Sequence, residues 1–485
     1  MSDEKTAADA DEKTRGLLRA ALARGRAGAA PRLMREHCLA PERRPGGIVV
    51  QRLMLAPEAH EGDEHAVPVV LVHSDDARGD GARPLICFMH GTGGDSEGLL
   101  ETHLVPFAKR GYCALGVDAP CHGRRLDPAP EAKIPPPEAK SPSSSRTPDD
   151  ADGLAASLRA PSGHVSLSRS RSETFERYGA ALVAAWRGGS EPPERSAAER
   201  SAADSSPIRH SGHSGSARPF LFDGAWDCLR AVRFATGLSN RDGRTTVGDP
   251  EGPDAALPTR AASGNEPPLD LVDVNVDATR VGVSGVSLGG MYAWLAAAAA
   301  PETIAAAAPL IGAQDFGWAL RNERWRARVD SLPPALFRAA ERDERETLGD
   351  ERTSPREVSP ELVERVYDAI CPGLTTFLDG PRTFPLVAPR PMLIVNGELD
   401  PRNPLEGVRG LVAATRRAYE SKKKTKNFVA VAQRGVAHAC TPQMLALADA
   451  WLDWRLRPAA AFCDGNRAEA AVAEALRDAE TWLEL

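Results

Sequence analysis

The stretch GVSGVSLGG, Gly282 to Gly290, decides how the rest of the chain is read. Ahead of it, DATRVGV alternates valine with small residues in the manner of a short buried strand, and behind it MYAWLAAAAA reads as a helix. Between them Gly285, Ser287 and Gly289 form G-x-S-x-G. A strand that turns this sharply into a helix strains the serine backbone and lifts its Oγ clear of the sheet, and the glycines let neighbouring backbone pass without a Cβ clash. Ser287 is therefore the candidate nucleophile. By itself the motif is weak, since any tight strand-to-helix turn favours the same residues. Partners decide it, and after such a serine the expected chain order is an acid and then a histidine.

Both partners follow. RPMLIVNGELDP reads as a buried strand, and Asp400 sits in the loop just past its end, with Glu398 as the alternative acid closer to the strand. NFVAVAQRGVAHAC gives a last strand from Asn427 and a loop carrying His438. A lone Asp or His in a loop is more often a solvated surface residue. Three such residues in this order, each beyond a strand, form a specific constellation.

Upstream, Ile48–Ala56 and Val67–Ser74 read as two strands opening a sheet, followed by ARPLICFMH, an apolar run suited to a strand covered on both faces. It ends in HGTGG, His90–Gly94, whose glycines allow backbone N–H groups to point into a cleft. A helix over about 96–110 and the strand YCALGVDAP complete a strand–helix–strand unit. No G-x-G-x-x-G or P-loop lysine is present, which argues against phosphate binding.

At 485 residues and 42% hydrophobic content the chain can bury a large core. Lys+Arg 60 against Asp+Glu 67 gives a formal net charge of -7, so no basic field exists to hold nucleic acid or an anionic membrane. The 8 cysteines include no C-x-x-C pair and are read as reduced thiols. The acidic start MSDEKTAADADEKTRG has no signal-peptide character, and LLRAALARGRAGAAPRLM reads as a short amphipathic surface helix. No apolar run approaches the roughly 20 residues needed to cross a bilayer. A cytoplasmic protein without membrane spans is the expectation.

Composition marks an N-terminal segment 1–45, a main domain 46–458 and a helical C-terminal tail 459–485. Two Pro/Ser/Glu/Arg-rich stretches, about 124–218 and 239–268, are expected to be disordered insertions, with a helical piece around FERYGAALVAAW inside the first. FDGAWDCLRAVRFATG places Trp226, Leu229, Val232 and Phe234 at helical spacing, and Ile304–Gly312 reads as a strand. From about 313 to 386 the chain is helical and charged, as a cap over the strand ends would be, and its Trp318 and Trp325 suit either a pocket wall or core packing. His210 and His213 form an H-x-x-H but lack a rigid frame and further ligands, so no metal is expected.

Together KRGYCALGVDAPCHGRR, the long stretch from the elbow to Asp330, APRPMLIVNGELDPRNP and GVAHAC resemble the α/β-hydrolase superfamily. More narrowly they resemble plant and algal hydrolases near the dienelactone-hydrolase and prolyl-oligopeptidase-like esterases. The likeness covers most of Leu85–Leu456 outside the two insertions. It implies an α/β fold with a mostly parallel central sheet, flanking helices and a helical cap. It also implies a Ser287–His438–Asp400 triad, an oxyanion hole made by the backbone amides of Leu288 and Thr92 (Gly91 or Gly93 as alternatives), and hydrolysis of a small-molecule ester without any cofactor. Dienelactone hydrolases carry cysteine at the elbow, where this chain has Ser287. Cys440 and His122 are candidates for the pocket border, with structural roles as the default. A prolyl-oligopeptidase-like peptidase and a non-catalytic scaffold of the same fold are the alternatives; no propeller-like repeats precede the domain.

Overall fold

Alternate residues of the central strands face two different helical layers. In the strand Arg83–Met89, Leu85, Cys87 and Met89 join one apolar core while Ile86 and Phe88 join the other. This explains why that run is apolar without alternation. The computed structural model describes residues 2–24, 26, 28, 30–58, 65–75, 81–125, 170–188, 220–237, 274–349, 357–457 and 465–485. Residues 239–268, and residues 124–218 apart from 124, 125 and 170–188, lie outside the described residues, as do His210 and His213.

Among the described residues one sheet contains β1 (Glu42–Arg44), β2 (Ile48–Leu55), β3 (Val67–Ser74), β4 (Arg83–Met89), β5 (Cys113–Val117), β6 (Val276–Val286), β7 (Ala306–Leu310), β8 (Met392–Gly397), β9 (Phe428–Gln433) and β10 (Trp482–Glu484). Their spatial order is β1-β2-β3-β5-β4-β6-β7-β8-β9-β10. The run from β5 to β9 is parallel throughout, and antiparallel strands lie at both margins. The chain winds outward from β4 in both directions, so the C-terminal ends of β4, β6, β8 and β9 lie along one edge. This is the α/β-hydrolase fold. Loops after those strand ends share a crevice, where the candidate residues sit.

The helices in chain order are α1 (Ser2–Ala23), α2 (Val105–Lys109), α3 (Arg171–Arg187), α4 (Phe220–Gly237), α5 (Leu288–Ala299), α6 (Phe316–Arg321), α7 (Arg326–Val329), α8 (Pro334–Leu348), α9 (Pro360–Ile370), α10 (Gly380–Thr383), α11 (Leu405–Ser421), α12 (Pro442–Leu456) and α13 (Gly465–Ala475). α4, α5 and the helices between β7 and β8 pack on one face of the sheet; α2, α12 and α13 pack on the other.

Three segments differ from the sequence reading. The helix expected over 96–110 is shorter, because the Ser96 amide donates to Asp118 Oδ1 (2.7 Å) and the Gly98 amide to Asp95 Oδ1 (2.7 Å). Those side chains hold 95–99 as a loop, and regular α-helix covers only Val105–Lys109. The Arg/Ala-rich N-terminal helix is docked rather than merely superficial: Leu18 and Leu22 are buried, and Arg15 and Arg19 donate to the carbonyls of Ala298 and Ala299. Those carbonyls end α5, where unpaired C=O groups and the helix dipole favour cations. Finally, the chain end supplies a strand, β10, antiparallel to β9.

Candidate active site

β6 ends at Val286 and α5 begins at Leu288, so a single residue makes the turn. That residue, Ser287, has φ 56° and ψ -110°, left-handed backbone that an L-residue adopts only under strain. Close packing holds it there. A Cβ on Gly289 would lie 2.2 Å from the Met89 carbonyl oxygen, and one on Gly285 would lie 2.6 Å from both that oxygen and the Gly289 carbonyl carbon. The spacing of G-x-S-x-G is thus a statement about how closely the elbow presses on the end of β4.

The Ser287 Oγ lies 2.8 Å from His438 Nε2, and His438 Nδ1 lies 2.7 Å from Asp400 Oδ2. The three residues come from loops after β6, β8 and β9, in the order the sequence places them. Asp400 is fully supplied with donors. Its Oδ1 accepts from the amides of Arg402 (2.8 Å) and Asn403 (3.1 Å), and its Oδ2 also accepts from Asn403 Nδ2 (3.0 Å). Burial would raise its pKa, but the His438 hydrogen bond and charge, together with these donors, hold the carboxyl below its usual range. His438 moves down from 6.5, chiefly through burial, with Asp400 opposing and the Arg402 and Arg328 charges adding to the fall. A neutral ring donating from Nδ1 to Asp400 leaves Nε2 free to accept the serine proton.

Glu398, the alternative acid, faces elsewhere. Its Oε2 accepts from the Gly435 amide (2.9 Å) and closes the turn after β9.

On the other side of Ser287, Gly91–Gly94 form a turn in which the Gly94 amide donates to the Gly91 carbonyl (3.0 Å) and Gly93 has φ 82°. A Cβ on Gly91 would lie 3.8 Å from Ser287 Cβ, so the turn carrying Thr92 abuts the serine. Leu288 is the first residue of α5, and its amide belongs to the unpaired N–H set of that helix start.

Sequence reasoning missed two supports. His90 donates from Nδ1 to the Gly91 carbonyl (2.8 Å) while its Nε2 accepts from the Ala119 amide (2.9 Å), which ties the glycine turn to the loop after β5. Asn403 bridges Asp400 to the Ile311 carbonyl (2.8 Å), and its Oδ1 accepts from Arg328. No local pattern marks Asn403, because its side-chain partners Ile311 and Arg328 come from distant segments. His90 stood in plain view, but its bonds depend on the loop after β5.

Of the two residues considered for the pocket border, His122 is wholly buried: Nδ1 donates to the Pro120 carbonyl (2.7 Å), its ring lies against His90 and Tyr178, and burial drives its pKa down to about 3. The Cys440 thiol is pushed up to about 12 by burial and packs toward the α12 side. Both behave as structural residues. In the cap, Trp325 is buried, and Trp318 packs against Gly407 on α11. Among the described residues no group of His, Cys, Asp and Glu could hold a metal ion, and no helix is long and apolar enough to cross a membrane.

No protein-family model matches the sequence, and no curated protein matches it. Solved structures do. The fold is similar to an acetyl xylan esterase from Paenibacillus sp. R4 (13% identity, 92% of this chain and 94% of that one, TM-score 0.43). It is also similar to a glucuronoyl esterase from Solibacter usitatus (12%, 90% and 91%, 0.43) and to a methylesterase (13%, 95% and 66%, 0.47). The architecture itself rests on the strand order and register given above.

Proposed function

We propose that the protein is a serine hydrolase that cleaves carboxylic esters of small molecules through an acyl-enzyme. The observation that carries this reading is the unbroken hydrogen-bonded series from Ser287 Oγ through His438 to Asp400, at 2.8 and 2.7 Å. His438 takes the Ser287 proton as Oγ attacks the ester carbonyl; Asp400 orients the ring and stabilises the imidazolium without itself becoming protonated. The oxyanion is received by the amides of Leu288 and Thr92, and the leaving alcohol takes the proton held on His438. Water then repeats the sequence on the acyl-enzyme, with His438 again as base, and returns Ser287 to its starting state. Removing one oxyanion donor costs roughly 10² to 10³ in turnover in comparable sites.

The test is labelling by a fluorophosphonate probe together with hydrolysis of short- and medium-chain p-nitrophenyl esters by the wild type and by Ser287→Ala. Labelling and turnover that both vanish in the variant support the reading. A wild type that neither labels nor turns over any ester overturns it.

A further inference from the structure

The three donors that hold Asp400 besides His438 all come from residues 402 and 403, and one side chain of the cap holds both of those residues. Arg328, on α7, donates from Nη2 to the Arg402 carbonyl (2.6 Å) and to Asn403 Oδ1. The arginine is itself fixed. Its amide donates to the Trp325 carbonyl (3.0 Å), and its guanidinium sits 4.9 Å over the Phe316 ring. Phe316 opens α6, where its amide and that of Gly317 donate to the two oxygens of the buried Asp379 (2.9 and 2.7 Å).

A guanidinium has donors and no acceptor, so it determines which end of the Asn403 amide faces it. Oδ1 meets Arg328, and Nδ2 is left for Asp400 Oδ2 (3.0 Å) and the Ile311 carbonyl (2.8 Å). That same Oδ2 receives His438 Nδ1. The second bond acts on the backbone. Fixing the Arg402 carbonyl fixes the peptide that joins 402 to 403, and the N–H of that peptide donates to Asp400 Oδ1 (3.1 Å). Asn403 is 1% exposed and Asp400 2%, so a donor lost here leaves a buried acceptor rather than a hydrated one. A tie that merely anchored the cap would need neither oxygen to belong to a residue holding the acid.

We propose that Arg328 is a positioning residue for the reaction: from the cap it fixes residues 402 and 403, and through them the place at which Asp400 meets His438. This rests on the serine-hydrolase reading above and gives the cap a part in the chemical step. A displacement of about 1 Å in a catalytic constellation can cost about a hundredfold in rate. Because Arg328 acts through the acid and not on the substrate, its loss belongs in kcat rather than KM.

Two variants test it. Arg328→Met keeps an unbranched stem over Phe316 and donates nothing; Arg328→Lys keeps a cation with N–H donors, and because one nitrogen makes both bonds an ammonium can serve them. Hydrolysis of p-nitrophenyl butyrate is measured for each, with kcat counted per site titrated by a fluorophosphonate, so that unfolded protein does not enter. Arg328→Met should lose about ten- to a hundredfold in kcat with KM within about threefold, and Arg328→Lys should recover at least about threefold of that loss. Made on Asn403→Ala, the Arg328→Met change should cost at least about threefold less than on the wild type, since part of the route to Asp400 is already gone. A kcat within about threefold of the wild type in Arg328→Met, a loss confined to KM, a lysine variant as impaired as the methionine one, or losses at 328 and 403 that simply multiply each overturns the positioning role and leaves the hydrolase reading standing. A wild type that neither turns over the ester nor takes the fluorophosphonate removes the underlying reading and this one with it.

Discussion

Asp400→Asn changes one atom and should nearly abolish activity. The wild-type carboxylate accepts four hydrogen bonds: two backbone amides on Oδ1, and His438 Nδ1 and Asn403 Nδ2 on Oδ2. An amide in its place has one acceptor oxygen and one donor nitrogen. The oxygen must face the two fixed backbone N–H groups of Arg402 and Asn403, because neither can turn away. The NH₂ then meets His438 Nδ1, which must accept rather than donate, so the ring carries its proton on Nε2. In that tautomer it cannot take a proton from Ser287 Oγ, 2.8 Å away. The expected loss is about 10⁴-fold in kcat, roughly 5 kcal/mol of transition-state stabilisation. Folding should lose less, about 1–3 kcal/mol, since both bonds to backbone survive. Steady-state kinetics on p-nitrophenyl butyrate, with thermal unfolding alongside, measures both. Glu398→Gln is the control: its bond to the Gly435 amide can be remade by the amide oxygen, and activity should stay within about threefold. Asp400→Asn within tenfold of wild type, or a collapse in Glu398→Gln, would refute the assignment of the acid.

The pH dependence follows from His438. Its folded pKa is depressed below 6.5 by burial first, with Arg402 and Arg328 assisting. A general base works only when neutral, so kcat/KM for a neutral ester should be full above 6.5 and fall through an acid limb below that value; Arg402→Gln should move the limb upward, and a wild-type limb above 6.5 would contradict the geometry. Gly289→Ala drives a Cβ to 2.2 Å from the Met89 carbonyl oxygen, a backbone atom that cannot move alone. Thermal or chemical unfolding should report a loss of about 3 kcal/mol or more, and an unchanged midpoint would mean the elbow is not packed as described. Leu18→Ala on α1 removes a side chain with 0% exposure and should cost about 3 kcal/mol by urea unfolding. A cost below about 0.5 kcal/mol would return that helix to the exposed surface.

Much of the site was legible because its parts are local. Strand, tight turn and helix around Ser287 are written within two dozen residues, and the restrictions that place glycine at 285 and 289 act on backbone within the same turn or on the end of β4. Asp400 and His438 were legible by order, since each closely follows an apolar run that can only be a buried strand.

The sequence by itself determined the period of the central strands, the position of the elbow and the type and order of the three candidate residues, because those depend on side-chain chemistry and neighbours a few residues away. Only the tertiary structure decided that Asp400 rather than Glu398 faces His438. The two acids are two residues apart, and the choice turns on Gly435 taking one and Asn403 holding the other. It also decided that Arg15 and Arg19 cap α5, nearly three hundred residues away. Contacts between distant segments depend on how the layers stack, and no local pattern encodes the partner at the far end.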